Sequence, residues 1–266
     1  IIDRPTGEAP ALIGGAFVFK QASSTYPGAV VPALTDLNFS IQRGESIGIV
    51  GRDGSGKSTL LKLCTRLLEL NEGSVELDGV PIDRYALAQL RSQIAQVLQD
   101  PFLFGEPLSA NISYDDPERA LDLIWDAADA AALRETVLTF PEQMSTLVGE
   151  RGVTLSGGQK QRTTLARGLI RNAPVLILDD CFSAVDTETE EHILSRLKRL
   201  RAGKTTILVS HRVSTLRHTD RILVLEGGRL MESGSHVALL AKGGLYAELE
   251  RLQTQGQRSD FEPELV

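Results

Sequence analysis

The chain has 266 residues, of which 42% are hydrophobic and 24% charged, a composition that allows one large α/β domain or two small ones. Its 28 Lys and Arg residues against 35 Asp and Glu give a net charge of −7, which argues against a nucleic-acid partner. No apolar stretch approaches the roughly 18–20 residues that span a bilayer, and the two cysteines, Cys64 and Cys181, suggest no disulfide framework.

The first part of the chain contains short apolar or β-branched runs bounded by glycine and polar residues. They predict strands at residues 16–20, 37–41, 46–50, 75–77 and 94–98. The third of these runs, SIGIV, leads directly into a glycine-rich stretch and then into the helical pattern STLLKLCTRLL. The predicted order is therefore strand, glycine-rich loop, helix.

Helical patterns dominate from Pro101 to about Asn172, and apolar strands return at residues 175–178, 205–209 and 222–225. Continuous apolar strands separated by helices are typical of a parallel sheet that is covered on both faces. We therefore predict one α/β core with a helical subdomain inserted between Gln99 and Asn172, at about residues 100–171.

The glycine-rich stretch GRDGSGKS, Gly51–Ser58, matches the pattern G-x-x-x-x-G-K-[ST]. Glycines allow consecutive backbone N–H groups to surround a phosphate, and the following helix directs its positive end at it. Lys57 is expected to reach the β- and γ-phosphates, and Ser58 to ligate Mg²⁺. The predicted nucleotide contacts in this stretch are Gly51, Asp53, Gly54, Ser55, Gly56, Lys57, Ser58 and Thr59.

Two adjacent carboxylates end the apolar run of LILDDCFSAVD, at residues 176–186. Proteins with such a phosphate loop hold Mg²⁺ with an acid at the tip of a neighbouring apolar strand. Asp179 occupies that position and is the predicted metal ligand. The role of the second acid, Asp180, depends on what else the site contains.

Further motifs resemble those of the ATP-binding cassette (ABC) family, and the resemblance covers nearly the whole chain. Leu155–Gln159 reads LSGGQ, the family's signature motif, and is followed by KQRTTLARGLI. Tyr26 matches the aromatic residue that stacks on adenine, and Gln99 matches the loop glutamine near Mg²⁺ and the attacking water. Ser183–Asp186 (SAVD) matches the loop that crosses between two cassettes, and His211 matches the switch histidine that contacts the γ-phosphate.

The resemblance implies a P-loop NTPase (RecA-like) core with an antiparallel β portion near the N-terminus, and ATP and Mg²⁺ as cofactors. It also implies that two cassettes pair head to tail, so that each ATP lies between one P-loop and the partner's signature. Ser156, Gly157, Gly158 and Gln159 then bind the partner's nucleotide, and Asp186 lies at the same interface. A helix that begins at the signature supports this, because Ser156 and the following N–H groups suit an anion. The basic cluster KQR, at residues 160–162, is expected to be a solvated helix face.

The segments QDPFLFGEPLSANI, after Leu98, and GERG, at residues 149–152, resemble the exporter branch of the family. In that branch these loops contact the coupling helices of a membrane domain, which implies a location on the cytoplasmic side of a membrane. The sequence resembles an excised nucleotide-binding domain. We expect a linker at residues 1–12, the domain at 13–253 and a polar tail at 254–266.

Asp180 is the main departure from the family pattern, in which efficient ATPases carry glutamate there to orient and deprotonate the attacking water. Aspartate is shorter by one methylene, which withdraws its carboxylate by about 1.5 Å, whereas a base must lie within roughly 2.6–3.2 Å of its water. The expected catalytic residues are Asp180, His211 and Gln99, and we predict a weakly hydrolytic site paired with a different chain that carries the glutamate. Three alternatives stay open: a slow homodimer, since His211 is retained; a soluble ABC ATPase; and an importer cassette.

Overall fold

The structure is a computed structural model that describes residues 1, 3, 13–149 and 154–259. Its strands form two sheets. They are β1 (Phe17–Ser24), β2 (Leu34–Ile41), β3 (Ser46–Val50), β4 (Glu72–Leu77), β5 (Val80–Pro81), β6 (Ile94–Val97), β7 (Val175–Asp179), β8 (Thr205–Val209), β9 (Arg221–Glu226) and β10 (Arg229–Gly234).

Helices connect these strands, and two short 3-10 helices lie at Ile82–Arg84 and Gln143–Ser145. The α-helices are α1 (Lys57–Cys64), α2 (Leu87–Ser92), α3 (Leu108–Ile112), α4 (Leu121–Ala130), α5 (Arg134–Leu138), α6 (Gly157–Ile170), α7 (Thr187–Leu200), α8 (Val213–Leu216), α9 (His236–Lys242) and α10 (Leu245–Ser259). None of the helices in the described residues is long and apolar enough to cross a membrane.

The larger sheet has six strands in the order β10-β9-β3-β8-β7-β6. All its neighbouring strands are parallel except the pair β9 and β10. Along the inner strands of this sheet, successive side chains point to opposite faces, as the two-residue period of a strand requires. They therefore pack in two different cores. In β7, for example, Ile177 packs in one core and Leu176 and Leu178 in the other. This sheet is therefore covered on both faces, which confirms the predicted α/β class.

The smaller sheet is antiparallel, with the order β2-β1-β4-β5, and covers one face of the larger sheet. Phe17 and Phe19 of β1 are buried in the same core as Ile47 and Ile49 of β3. The helix α1 also packs there, through Leu60 and its neighbours. This sheet is the antiparallel β portion that the resemblance implies near the N-terminus.

Helices α3 to α6 lie between β6 and β7, in the stretch predicted to be helical. They pack on one another and share a core with the other face of the larger sheet. The alanine-rich pattern at residues 118–137 is divided into α4 and α5, and Ala132 between them has a φ of +52°. A non-glycine residue in this left-handed region ends one helix before the next begins.

Two features near the C-terminus were not predicted. The strand β10, RLMESG, has polar residues at three of its six positions and Glu232 as its one buried residue, so its sequence lacks the apolar run of the inner strands. The helix α10 continues to Ser259, through the first residues of the predicted tail at 254–266. Of the predicted linker, only residues 1 and 3 lie within the described part of the chain.

Candidate functional site

The carboxyl ends of three neighbouring parallel strands bring the predicted residues together. β3 pairs with β8, and β8 with β7, where Asp179 lies opposite Val209. Residues at the carboxyl ends of neighbouring parallel strands lie close together, and ligands bind beyond these ends in open α/β sheets. The glycine-rich loop, the two acids and His211 all follow the ends of these strands.

The glycine-rich loop closes around the ammonium group of Lys57. This group donates to the carbonyl oxygens of Gly51, at 2.8 Å, and of Arg52, at 3.1 Å. Burial lowers the pKa of Lys57, although Asp53, Asp180 and Asp179 counteract this effect by their negative charge. The loop therefore holds a positive charge at the start of α1.

The same loop has the features of a phosphate cradle. Gly56 has a φ of +102°, and a Cβ atom there would lie 2.6 Å from the Leu34 side chain, so only glycine fits. The hydroxyl group of Ser55 is buried and has no hydrogen-bond partner among the described residues. The first N–H groups of α1 also lack partners within that helix. A phosphate would satisfy these donors, so the residues present fit a nucleotide.

The two adjacent acids differ in backbone conformation. Asp179 and Asp180 are each 8% exposed, but Asp179 ends β7 whereas Asp180 has a φ of +44°. The backbone N–H of Asp180 donates to the carbonyl oxygen of Val209, at 3.0 Å. Burial raises the pKa of the Asp179 carboxyl group, the charge of Asp180 raises it further, and Lys57 opposes the shift. Asp179 with the hydroxyl of Ser58 suits Mg²⁺, which keeps several waters and takes other ligands from phosphate.

His211 connects the acids to the phosphate loop. Its backbone N–H donates to the Asp180 carboxylate at 3.3 Å. Its side-chain Nδ1 lies 3.5 Å from the carboxylate of Asp53, whose side chain is 94% exposed. The predicted switch histidine therefore reaches the P-loop from the end of β8.

Tyr26 lies against α1 at the side of the loop. Its hydroxyl is 3.2 Å from the Thr59 hydroxyl and accepts from the Lys62 ammonium group at 3.2 Å. Burial would raise the pKa of Tyr26, but these hydrogen bonds outweigh that effect and the pKa is lowered. Gln99 is exposed and follows β6, the strand next to β7. Gln99 therefore lies beyond the carboxyl end of β6 and Tyr26 beside α1, and the contacts of both residues with nucleotide stay predictions.

The signature motif begins α6 with a reciprocal cap. Ser156 accepts from the Gln159 N–H at 3.3 Å, and the Gln159 side chain accepts from the Ser156 N–H at 2.9 Å. The Ser156 hydroxyl keeps its own proton for donation. The N–H groups of Gly157 and Gly158 have no partner within the helix, because they lie in its first turn. This end of α6 is a second place in the chain that suits an anion.

The KQR cluster is only partly the solvated face that was predicted: Lys160 is exposed, but Gln161 is only 4% exposed. Its side chain donates to the Ser183 hydroxyl, at 2.8 Å, and accepts from the Ala184 N–H, at 2.8 Å. Arg212 holds the same loop from the other side, donating to the Ser183 carbonyl at 3.1 Å. Asp186 ends this loop as the N-cap of α7 and accepts from the Thr189 N–H at 2.9 Å.

A second unpredicted pair lies between α6 and the loop after Gln99. Arg167 donates to the carbonyl oxygens of Asn111, at 2.6 Å, and Phe102, at 2.9 Å. The fully buried Asn111 side chain bonds both backbone groups of Phe104, at 2.9 and 3.1 Å. The signature helix and the loop at 102–107 are therefore tied together. In the GERG segment only Gly149 lies within the described residues.

These observations define a P-loop nucleotide-binding domain of mixed α/β architecture with a helical insertion. The family model described as ABC transporter matches residues 34–183, more than half of the chain, and the chain belongs to the ABC transporter family.

Relatives and solved structures agree with this assignment. The chain is 44% identical over 263 residues to the ATP-dependent lipid A-core flippase of Burkholderia pseudomallei (strain 1710b), a match covering 96% of this chain and 44% of the relative. It is 44% identical over 253 residues to the lipid A-core flippase of Pseudomonas fluorescens, covering 94% and 42%. A bacterial Atm1-family ABC exporter with ATP bound is similar in structure, with a TM-score of 0.89 and 38% identity over 96% of this chain and 45% of that one. The chain spans less than half the length of these relatives.

Proposed function

We propose that this chain is the ATP-binding cassette of an exporter, which binds Mg-ATP and passes the energy of binding to a membrane domain. The observation that carries the proposal is the meeting of His211, Asp180 and Asp53 around the buried Lys57. Together with Asp179, these residues would offer a phosphate a cation, a metal-binding acid and a third contact at one cradle. Such positioning and charge stabilisation are what phosphoryl transfer requires.

ATP would be held by the loop Gly51–Thr59, with its adenine on Tyr26. Lys57 would contact the β- and γ-phosphates, and Mg²⁺ would be held by Ser58, Asp179 and Gln99. The bound Mg²⁺ would neutralise charge on the phosphates. The chain's own contribution is to orient them and to exclude bulk water from the buried acids.

A second cassette would complete the site. The capped end of α6 would receive the ATP of a partner, with Asp186 at the same interface. ATP then favours the closed pair only through contacts that the open state lacks. The two anion-binding helix ends in one chain support a head-to-tail pair.

The hydrolytic step is proposed to be weak at this chain's own site. Asp180 is buried, and its carboxylate accepts a hydrogen bond from the backbone N–H of His211. It is also one methylene shorter than glutamate, so it reaches less far toward an attacking water. The absence of a positioned base typically costs a factor of about 10²–10⁴ in rate. The partner would then be a different chain with glutamate at this position.

The position of His211 at the P-loop favours a second candidate, a homodimer that hydrolyses ATP slowly. A contact between His211 and the γ-phosphate would serve a site that hydrolyses ATP, even one in which the base is aspartate instead of glutamate. The two candidates differ in whether two copies of this chain close around ATP.

Coupling to a membrane domain would use the exposed apolar side chains near Gln99. Leu98 is 55% exposed, Phe102 64% and Tyr114 60%. The Tyr114 ring stacks on the ring of Phe104, with centroids 4.6 Å apart. The exporter and flippase names of the similar proteins support export, and this surface would then lie at the cytoplasmic side of a membrane.

The test is ATP-dependent pairing of the purified chain, measured by sedimentation with Mg-ATP and with Mg-ADP. The proposal predicts ATP binding by the chain, and loss of any pairing when Ser156 is changed to Arg while ATP binding is kept. ATP-driven pairing of the chain with itself would favour the homodimer, and binding without self-pairing the heterodimer. A chain that binds no ATP would contradict the proposal.

A further inference from the structure

The helix α10 is fixed at its beginning by the strand β10. The buried carboxylate of Glu232 accepts from the backbone N–H groups of Leu245, at 3.2 Å, and Tyr246, at 3.1 Å. The Tyr246 ring is fully buried, and its hydroxyl lies 2.8 Å from Nδ1 of His236. A negative charge at the first turn also suits the helix dipole. The start of α10 therefore has a defined position on the domain.

Two turns later the same helix holds the switch segment. The side-chain NH₂ of Gln253 donates to the carbonyl oxygen of His211 at 2.5 Å, and its side-chain oxygen accepts from the Val213 N–H at 2.9 Å. The NH₂ group and the oxygen of this amide are therefore both hydrogen-bonded, to the two residues that flank Arg212. This geometry fixes the backbone between the end of β8 and the start of α8.

His211 is thus held at both of its backbone groups. Its N–H bonds the Asp180 carboxylate, and its carbonyl oxygen bonds Gln253. Its ring is 42% exposed and lies 3.5 Å from Asp53 in the P-loop. A half-exposed ring is restrained less by packing than a buried one, so the backbone that carries it helps to set its position.

A second contact brings α10 to the P-loop itself. The Arg52 guanidinium lies 3.1 Å from the Glu248 carboxylate, one turn before Gln253 on the helix. The pair is exposed and adds little stability. It shows that one helix lies against both the phosphate loop and the switch segment.

We propose that Gln253 is a positioning residue that sets the His211 ring for the terminal phosphate of ATP. The helix α10 then contributes to the discrimination of ATP from ADP through the position of His211. This inference rests on the proposed function, since it requires an ATP site at the P-loop.

The experiment measures the affinities of the purified chain for a non-hydrolysable Mg-ATP analogue and for Mg-ADP by calorimetry. Gln253→Ala is expected to weaken binding of the analogue about tenfold and to leave ADP binding unchanged, because both hydrogen bonds that hold the switch segment are lost. Gln253→Glu keeps the acceptor and the size but loses the donor to His211, and it should reproduce most of the effect. Gln255→Ala, on an exposed position of the same helix, is the control and should bind as wild type.

A double-mutant cycle separates positioning from general damage. In a His211→Ala background, Gln253→Ala should cause no further loss, because the ring on which it acts is gone. Equal weakening of both nucleotides, or additive losses in the cycle, would overturn the role of Gln253 while leaving the ATP site intact. If Gln253→Ala does not fold, the same affinities and the same cycle are measured with Gln253→Glu, and they decide the role of Gln253. A wild-type chain that binds neither nucleotide would contradict the proposed function, and this inference with it.

Discussion

The carboxylate of Asp180 accepts a hydrogen bond from the backbone N–H of His211 at a distance of 3.3 Å. The acid that occupies the usual position of the catalytic base is therefore engaged by the switch segment. Its left-handed backbone, with a φ of +44°, is one that aspartate tolerates better than most residues. Under the proposed function, this carboxylate orients the switch segment and activates a water poorly.

Replacing the P-loop lysine tests the nucleotide site. Lys57→Ala removes a buried cation and its hydrogen bonds with phosphate, so we expect affinity for Mg-ATP to fall about 10–150-fold, or about 1.5–3 kcal/mol. Calorimetry measures this loss. Lys198→Ala, an exposed change on α7, is the control. Unchanged affinity in Lys57→Ala would place the nucleotide elsewhere.

Acidification should weaken the metal-dependent part of binding. The pKa of Asp179 is raised from its usual 3.8 by burial and by Asp180, so this carboxyl takes up a proton at a higher pH than a free aspartate. Proton and Mg²⁺ compete for it, and the gain in ATP affinity from Mg²⁺ should rise with pH through the raised pKa.

The pH dependence is measured as the ratio of ATP affinities with and without Mg²⁺. In Asp179→Asn the side chain at this position no longer titrates. Any pH dependence that remains in this variant then comes from titration of the nucleotide itself. A wild-type profile that coincides with the Asp179→Asn profile would show that Asp179 does not ligate the metal.

The signature glycines should differ in their tolerance of a methyl group. A Cβ on Gly158 would lie 2.6 Å from the carbonyl oxygen of Ala184, whereas one on Gly157 would lie 3.3 Å from the Ala184 side chain. We expect Gly158→Ala to lower the free energy of unfolding by about 1–2 kcal/mol, because the clash outweighs the gain in helix propensity. Gly157→Ala should change it by less than about 0.5 kcal/mol. Urea denaturation compares the two, and equal stabilities would contradict the close approach.

The inner strands and the P-loop were predicted from the sequence because their signals are local. The run SIGIV and the glycines that follow specify a buried strand and a turn by residue type alone. The resemblance to a family also located His211 and the signature, and the structure brings His211 to the P-loop as expected.

Other parts of the site depend on contacts between distant segments and have no local signal. Gln161 lies in a polar helical stretch, and only the packing of α6 on the loop at Ser183 buries it. The pair Arg167 and Asn111 is separated by 56 residues. Gln253 belongs to the polar helix α10, and the position of this helix on the switch segment is set by Glu232 on strand β10.

The central claim is that Asp180 is too short to activate water, and steady-state ATP turnover of the purified chain tests it most directly. We predict slow turnover in the wild type, little further loss in Asp180→Asn, and a rise of about 10²-fold or more in Asp180→Glu, with ATP affinity unchanged. Rapid turnover by the wild type that falls in Asp180→Asn and does not rise in Asp180→Glu would show that this aspartate is a competent base.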